Sequence, residues 1–272
     1  MVHVPTLARI IAKSIRYPHR ALGCALELMR LGRLDPAGER KRLFTFLHDV
    51  FGVDPEKHQD EFTRSLFASW IQARRVDLAN FCGPYRFGSS NDADCESLYH
   101  LVRALRPRVV VETGVCYGAS SAYILEALEA NGEGRLYSID LGNTKEEPPN
   151  DFFVPKRLLG RWKLCVGDAR NLLPPLLTRL GEIDLFHHDS LHTYEHMTWE
   201  YETALGGLSP GGVISSHDVN AVLSLRHPYR RNPFSVFCER HRLSAATAMN
   251  FGVAVDIDGR HAHELSQALK RA

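Results

Sequence analysis

From about residue 108 onward, short apolar runs rich in β-branched residues alternate with amphipathic stretches. The runs are 108–113 (RVVVET), 134–141 (GRLYSIDL), 162–169 (WKLCVGDA), 183–190 (IDLFHHDS), 211–219 (GGVISSHDV) and 251–258 (FGVAVDID). Between them lie apolar segments of helical period, 119–130, 170–180 and 193–208. Strands alternating with helices predict an α/β fold, a doubly wound, mostly parallel sheet covered on both faces. Ligands of such sheets bind beyond the carboxyl ends of the strands. The side chains to watch are therefore those just after each run.

Upstream the pattern changes. Residues 36–80 read as two helices. Asp54-Pro55-Glu56 is a start signal for one of them, with Asp as N-cap and Pro at the first helical position. Residues 83–94 form a turn-rich linker into a helix around 94–105, which stops at Pro107. The first 26 residues contain Arg9, Lys13, Arg16 and Arg20 and no acidic residue. They predict helix, broken at Pro18. The favoured reading is a helix packed on the main domain with a solvated basic face. The other is peripheral contact of that basic helix with a membrane surface or a partner. Pairing with a second copy of the chain stays open.

Composition narrows the classes. Hydrophobic residues are 44% and charged residues 24% of the 272, which excludes wholesale disorder. No apolar stretch approaches 18 residues, so no spanning helix is expected. A formal charge of +1 argues against a nucleic-acid partner. The six cysteines are scattered without a CxxC pair, and Arg9, Lys13 and Arg16 interrupt any leader-like core. Both point to reduced thiols in a cytoplasmic protein.

The first run ends in Glu112-Thr113-Gly114, and Gly118 follows before the helix. Glycines there let the backbone turn tightly and approach a ligand. The pattern is neither GxGxxG nor a Walker loop, which disfavours a dinucleotide or a nucleoside triphosphate. Glu112 suits a cationic ligand. Asp140 ends the second run, where a carboxylate accepts hydrogen bonds from ribose hydroxyls. Gly167-Asp168 ends the third, placed to meet an adenine amino group.

With these residues in this order, the chain resembles the class I S-adenosylmethionine-dependent methyltransferases over roughly residues 95–256. The resemblance implies a seven-stranded Rossmann-like methyltransferase fold. It divides the chain into an N-terminal helical extension, 1–90, and an S-adenosylmethionine-binding domain, 91–272. It further implies that Glu112 through Ser121 cradle the methionine portion, with Ser120 or Ser121 on the cofactor carboxylate. Asp140 would hold the ribose, and Gly167 and Asp168 would border the adenine.

The fourth and fifth run ends carry the densest chemistry, FHHDSLHTYEH (186–196) and PGGVISSHDVN (210–220). Asp189 and Asp218 end adjacent runs. Converging carboxylates repel unless a cation or a proton lies between them, and a hard divalent ion resolves the repulsion. This stretch resembles the metal-dependent O-methyltransferases of the catechol type. It resembles more closely the macrolide-sugar O-methyltransferase and cephalosporin-hydroxylase-like branch. That implies Asp189, His217 and Asp218 as metal ligands, with Asp189 also lining the cofactor pocket. It implies His192, three residues past Asp189, as catalytic base. The chain departs from the branch at His217, where Asp is usual, and Asn220 is another candidate ligand. The metal is Mg²⁺ or Mn²⁺, an imidazole ligand favouring the latter, Fe²⁺ or Zn²⁺.

The expected activity is divalent-metal-assisted O-methylation of a small-molecule hydroxyl. The resemblance points to a sugar, a glycosylated metabolite or a glycolipid. One alternative is an Fe(II) oxygenase using His187, Asp189 and His217, an HxD…H arrangement. Another is a non-enzymatic scaffold with a vestigial cofactor site. Two loops would select the acceptor. Residues 142–155 are long, charged and proline-containing, the composition of a lid or a disordered segment. Residues 220–234 are basic, with Arg226, His227, Tyr229, Arg230 and Arg231 suited to gripping an anionic or sugar-bearing acceptor; the other reading is a solvated basic loop. His196 is expected on the helix surface, and Trp199 and Tyr201 at the helix–sheet contact.

Overall fold

The computed structural model describes residues 35–82, 90–144, 147–219 and 232–256. The basic segment at the N-terminus and most of the 220–234 loop lie outside the described residues.

Three helices open the described chain: α1 (Pro36–Phe51), α2 (Pro55–Thr63) and α3 (Leu66–Cys82). The expected pair over 36–80 is therefore three. Gly52 ends α1 in the left-handed region, and Asp54 caps α2 by accepting from Glu56 N at 3.0 Å. The break before α3 is only Arg64-Ser65, where Ser65 Oγ accepts from Ala68 N. So short a break leaves no turn signature in the sequence.

Then come α4 (Asp92–Leu105), β1 (Val109–Thr113), α5 (Ala119–Asn131), β2 (Arg135–Asp140), a 3₁₀ turn (Lys156–Arg161) and β3 (Trp162–Val166). They continue as α6 (Ala169–Leu180), β4 (Ile183–His188), α7 (Tyr194–Leu205), β5 (Leu208–Ser216), α8 (Pro233–His241), β6 (Ser244–Ala248) and β7 (Phe251–Val255). Side-chain caps set several starts: Asn91 for α4, Asp168 for α6 and Thr193 for α7.

The seven strands form one sheet in the order β3-β2-β1-β4-β5-β7-β6. The first five are parallel; β7 runs antiparallel to both of its neighbours, β5 and β6, so it alone is reversed. Strand β6 (SAATA) is not among the six runs of the pattern and supplies the seventh strand that the resemblance implies. Thr247 is its one β-branched residue among small side chains, and pairing with β7 recruits it.

Alternate residues of each strand feed two cores. Val110 and Leu185 face the cluster that also holds Leu47, Phe62, Phe67 and Tyr123 from the helices. Val111 and Phe186 face the other, with Leu173, Met197, Tyr201 and Phe237. Helices α1–α3 thus share a core with the sheet. Among the described residues, no helix is long and apolar enough to cross a membrane. Strand order reverses between β1 and β4, which opens a crevice at their carboxyl ends.

Candidate active site

The turn after β1 is shaped by what it must avoid. Gly114 has φ +82°, and a Cβ there would collide with the Asp189 carbonyl at the end of β4. Gly118 has φ +80° at the start of α5, and a Cβ there would collide with the Asn150 carbonyl. Each glycine therefore allows backbone to pass at a distance no side chain permits.

Glu112 lies fully buried beneath this turn. Its carboxylate accepts from Ser120 Oγ at 2.6 Å, Ser121 Oγ at 2.5 Å and Ser138 Oγ at 2.7 Å. Burial pushes its pKa up to about 7, against the pull of the three hydroxyls. Ser120 and Ser121, expected at a cofactor carboxylate, direct their hydroxyls at Glu112 here.

Asp140 ends β2. One carboxylate oxygen accepts from Val115 N at 2.8 Å and Cys116 N at 3.0 Å, and the other from Gly142 N at 2.7 Å. Asn150 Nδ2 lies 3.2 Å from that second oxygen. Gly167 N donates to the Asp140 carbonyl, and Asp168 caps α6 through Arg170 N. Beside them, Leu141 is 77% exposed and Val166 63% exposed, two bare apolar side chains at neighbouring strand ends.

The 142–155 loop, expected to be a lid or disordered, is fastened over its described length. Asn143 Nδ2 and Asn150 Nδ2 each donate to the Cys116 carbonyl at 2.8 Å. Phe153 N donates to the Tyr117 carbonyl, and the Phe153 side chain is fully buried. Amide–carbonyl anchors and one buried ring hold a segment whose described residues form no helix or strand.

At the ends of β4 and β5, two carboxylates and two imidazoles meet. His217 Nδ1 is 2.9 Å from Asp189 Oδ1 and 3.7 Å from Asp218 Oδ1. His192 Nε2 is 3.4 Å from Asp189 Oδ1, and its Nδ1 is 3.7 Å from Asp218 Oδ2. Asp189, His192 and His217 each offer a ligating atom within 4.8 Å of the others. Ser90 Oγ donates to Asp189 Oδ2 at 2.5 Å, and Asp94 Oδ2 lies 3.2 Å from His217 Nε2. Burial alone would raise the Asp189 carboxyl, but the His217 charge and the His192 hydrogen bond outweigh it and hold it well below the carboxylate range. Burial likewise opposes charge on His217, and Asp189 overrides it, lifting His217 well above the usual imidazole range. Mixed carboxylate and imidazole donors fit a borderline divalent ion such as Mn²⁺, Fe²⁺ or Zn²⁺ better than Mg²⁺.

The other histidines separate cleanly. His187 is not in this cluster: its Nδ1 pairs with Ser215 Oγ at 2.9 Å, its ring faces Phe251, and burial takes its pKa down to about 3. The HxD…H arrangement is therefore not assembled. His196 is buried rather than on the surface. Its Nε2 sits 2.9 Å from Glu200 Oε1, because Glu200 turns into the protein and the i,i+4 spacing carries His196 with it. Glu200 also accepts from Thr113 Oγ1 and Ser190 Oγ and pairs with His188 Nδ1. Tyr201 packs the helix onto the sheet as expected. Ser90, Asp94, Asn150 and Glu200 were not legible as site residues. Asp94 carried only the signal of an acidic first helical turn.

Residues 111–219 match the family model described as a methyltransferase domain. No curated protein matches the chain. Solved structures share its fold. TomG, an O-methyltransferase from Streptomyces achromogenes involved in tomaymycin synthesis and solved with SAM, is 19% identical with a TM-score of 0.50 over 70% of this chain and 88% of that chain. Cofactor-bound Rv0187 from MTB is 18% identical with a TM-score of 0.52 over 73% and 95%. At such identities the likeness is one of fold. The segment that matches a methyltransferase domain carries the strand-end residues from Glu112 to Asp218, and it lies on a seven-stranded sheet of Rossmann-like methyltransferase fold.

Proposed function

We propose that the chain is an S-adenosylmethionine-dependent O-methyltransferase, assisted by a divalent ion, that acts on a hydroxyl of a small sugar-bearing or glycosylated acceptor. The observation that carries this reading is the convergence of Asp189, His192, His217 and Asp218 beside the Gly114 turn.

S-adenosylmethionine supplies a methyl group on a sulfonium, and a divalent ion supplies Lewis acidity that lowers an acceptor hydroxyl's pKa. The chain's own residues do the rest. The turn from Gly114 to Gly118 receives the methionine portion, Asp140 faces the ribose, and Leu141 and Val166 give the adenine apolar surface. Asp189, His217 and Asp218 hold the ion. His192, at 32% side-chain exposure against 13% for His217 and 10% for Asp189, is the more open imidazole and takes the hydroxyl proton as the C–O bond forms and the methyl's C–S bond breaks, its electron pair returning to sulfur and leaving a neutral thioether. General-base help of this kind is worth roughly 10²–10⁴-fold, and holding the oxygen in line contributes about 7–11 kcal/mol.

Calorimetric titration of the full chain with S-adenosylmethionine, with and without Mn²⁺, tests the reading. Both are expected to bind. Asp140→Ala should weaken the first, and Asp189→Ala should lose the second together with divalent-dependent methyl transfer while staying folded. A wild-type chain that shows no heat with S-adenosylmethionine refutes it.

A further inference from the structure

Asp94 lies outside the matched segment, in the first turn of α4, yet it touches the centre of the cluster. An acidic residue in a first helical turn ordinarily sits at the surface, where it complements the helix dipole. This one is 2% exposed, and a carboxylate so deeply buried needs partners. Oδ1 accepts from Asn250 N at 3.3 Å. Oδ2 accepts from Asn91 Nδ2 at 2.5 Å and faces His217 Nε2 at 3.2 Å. The carboxylate is thus fixed by the start of its own helix and by the β6–β7 turn, and its remaining direction is toward His217.

We propose that Asp94 is a positioning residue for His217: by accepting the Nε2 proton it turns Nδ1 toward Asp189 as the metal-ligating atom, so that helix α4 completes a site the methyltransferase segment only begins. Asp94 and Asp189 can only accept, so each ring nitrogen of His217 faces a carboxylate, Nε2 that of Asp94 at 3.2 Å and Nδ1 that of Asp189 at 2.9 Å. A divalent ion held by Asp189 would take the place of the Nδ1 proton, while Asp94 keeps the Nε2 proton in place, so that Nδ1 is the nitrogen that meets the ion. Histidine ligands are commonly oriented this way, and losing the orienting partner typically costs about 10–100-fold in metal affinity.

The inference rests on the proposed divalent site, and its test separates the two. Full-length wild type, Asp94→Asn and Asp94→Glu are titrated with Mn²⁺ and, on the same samples, with S-adenosylmethionine. Asp94→Asn should lose about 10–100-fold in Mn²⁺ affinity with its S-adenosylmethionine affinity unchanged, and Asp94→Glu, which keeps the charge, should recover part of the loss. Wild-type Mn²⁺ affinity in Asp94→Asn overturns the positioning role and leaves the site standing. Equal loss of both ligands in both variants also overturns it, because the carboxylate would then serve only the fold. Absence of Mn²⁺ binding in wild type overturns the divalent site and this inference with it.

Discussion

Glu112 is a carboxyl whose neighbours are all hydroxyl donors and whose surroundings exclude water. Desolvation dominates, and its pKa rises from 4.5 to about 7. The consequence for stability has a definite sign. Below pH 4.5 the carboxyl is protonated both folded and unfolded, and its favourable contribution is complete. As pH rises toward 7 the unfolded chain ionises first, so folding loses stability, and above about 7 the loss levels off. Glu112→Gln stays neutral throughout. Urea midpoints measured from pH 4.5 to 8 should therefore fall more for wild type than for the variant; parallel curves would remove Glu112 from the account.

At the scale of elements, the β1–α5 turn and the end of β4 are built against each other. Asp189 N donates to the Thr113 carbonyl at 2.8 Å, and Gly114 leaves room for the Asp189 backbone. Gly114→Ala adds both left-handed strain and a collision, so it should destabilise by more than about 1 kcal/mol and displace Asp189. Gly132 supplies the control. It has φ +78° with nothing near its missing Cβ, so Gly132→Ala adds strain alone. Denaturant unfolding should rank Gly114→Ala clearly below Gly132→Ala, and Mn²⁺ binding should suffer only in the former. Equal behaviour would mean that the close approach of β4 does not matter.

For the whole molecule, the question is whether α1–α3 form an appendage. Leu43 and Leu47 of α1, Phe62 of α2 and Phe67 of α3 are buried in the cluster that contains Val110 and Leu185 of the sheet. A boundary at residue 90 would cut through that core. Leu47→Ala should cost about 2–5 kcal/mol and lower the stability of helices and sheet together. Hydrogen exchange checks this: α1–α3 and β1 should open with the same free energy. If the three helices opened first and left β1 protected, they would be a separate unit.

Strands β1–β5 and β7, helices α5, α6 and α7 and the acidic strand ends Glu112, Asp140 and Asp189 are legible directly, because periods of 2 and 3.6 and caps spanning three residues are local properties; helix α8 is not among the helical segments of the pattern. Asp54 as a helix cap was legible for the same reason. The 142–155 loop was misread because its anchors, Asn143 and Asn150, find backbone carbonyls rather than a pattern. Ser90 on Asp189 and Asp94 on His217 span 99 and 123 residues of chain. Such pairs exist only once β4 lies between β1 and β5 and α4 has been packed against the sheet. Which residues stand at a strand's end is a property of the chain; which of them meet, and which carboxylate each imidazole nitrogen faces, is settled by packing that brings distant segments within hydrogen-bond reach.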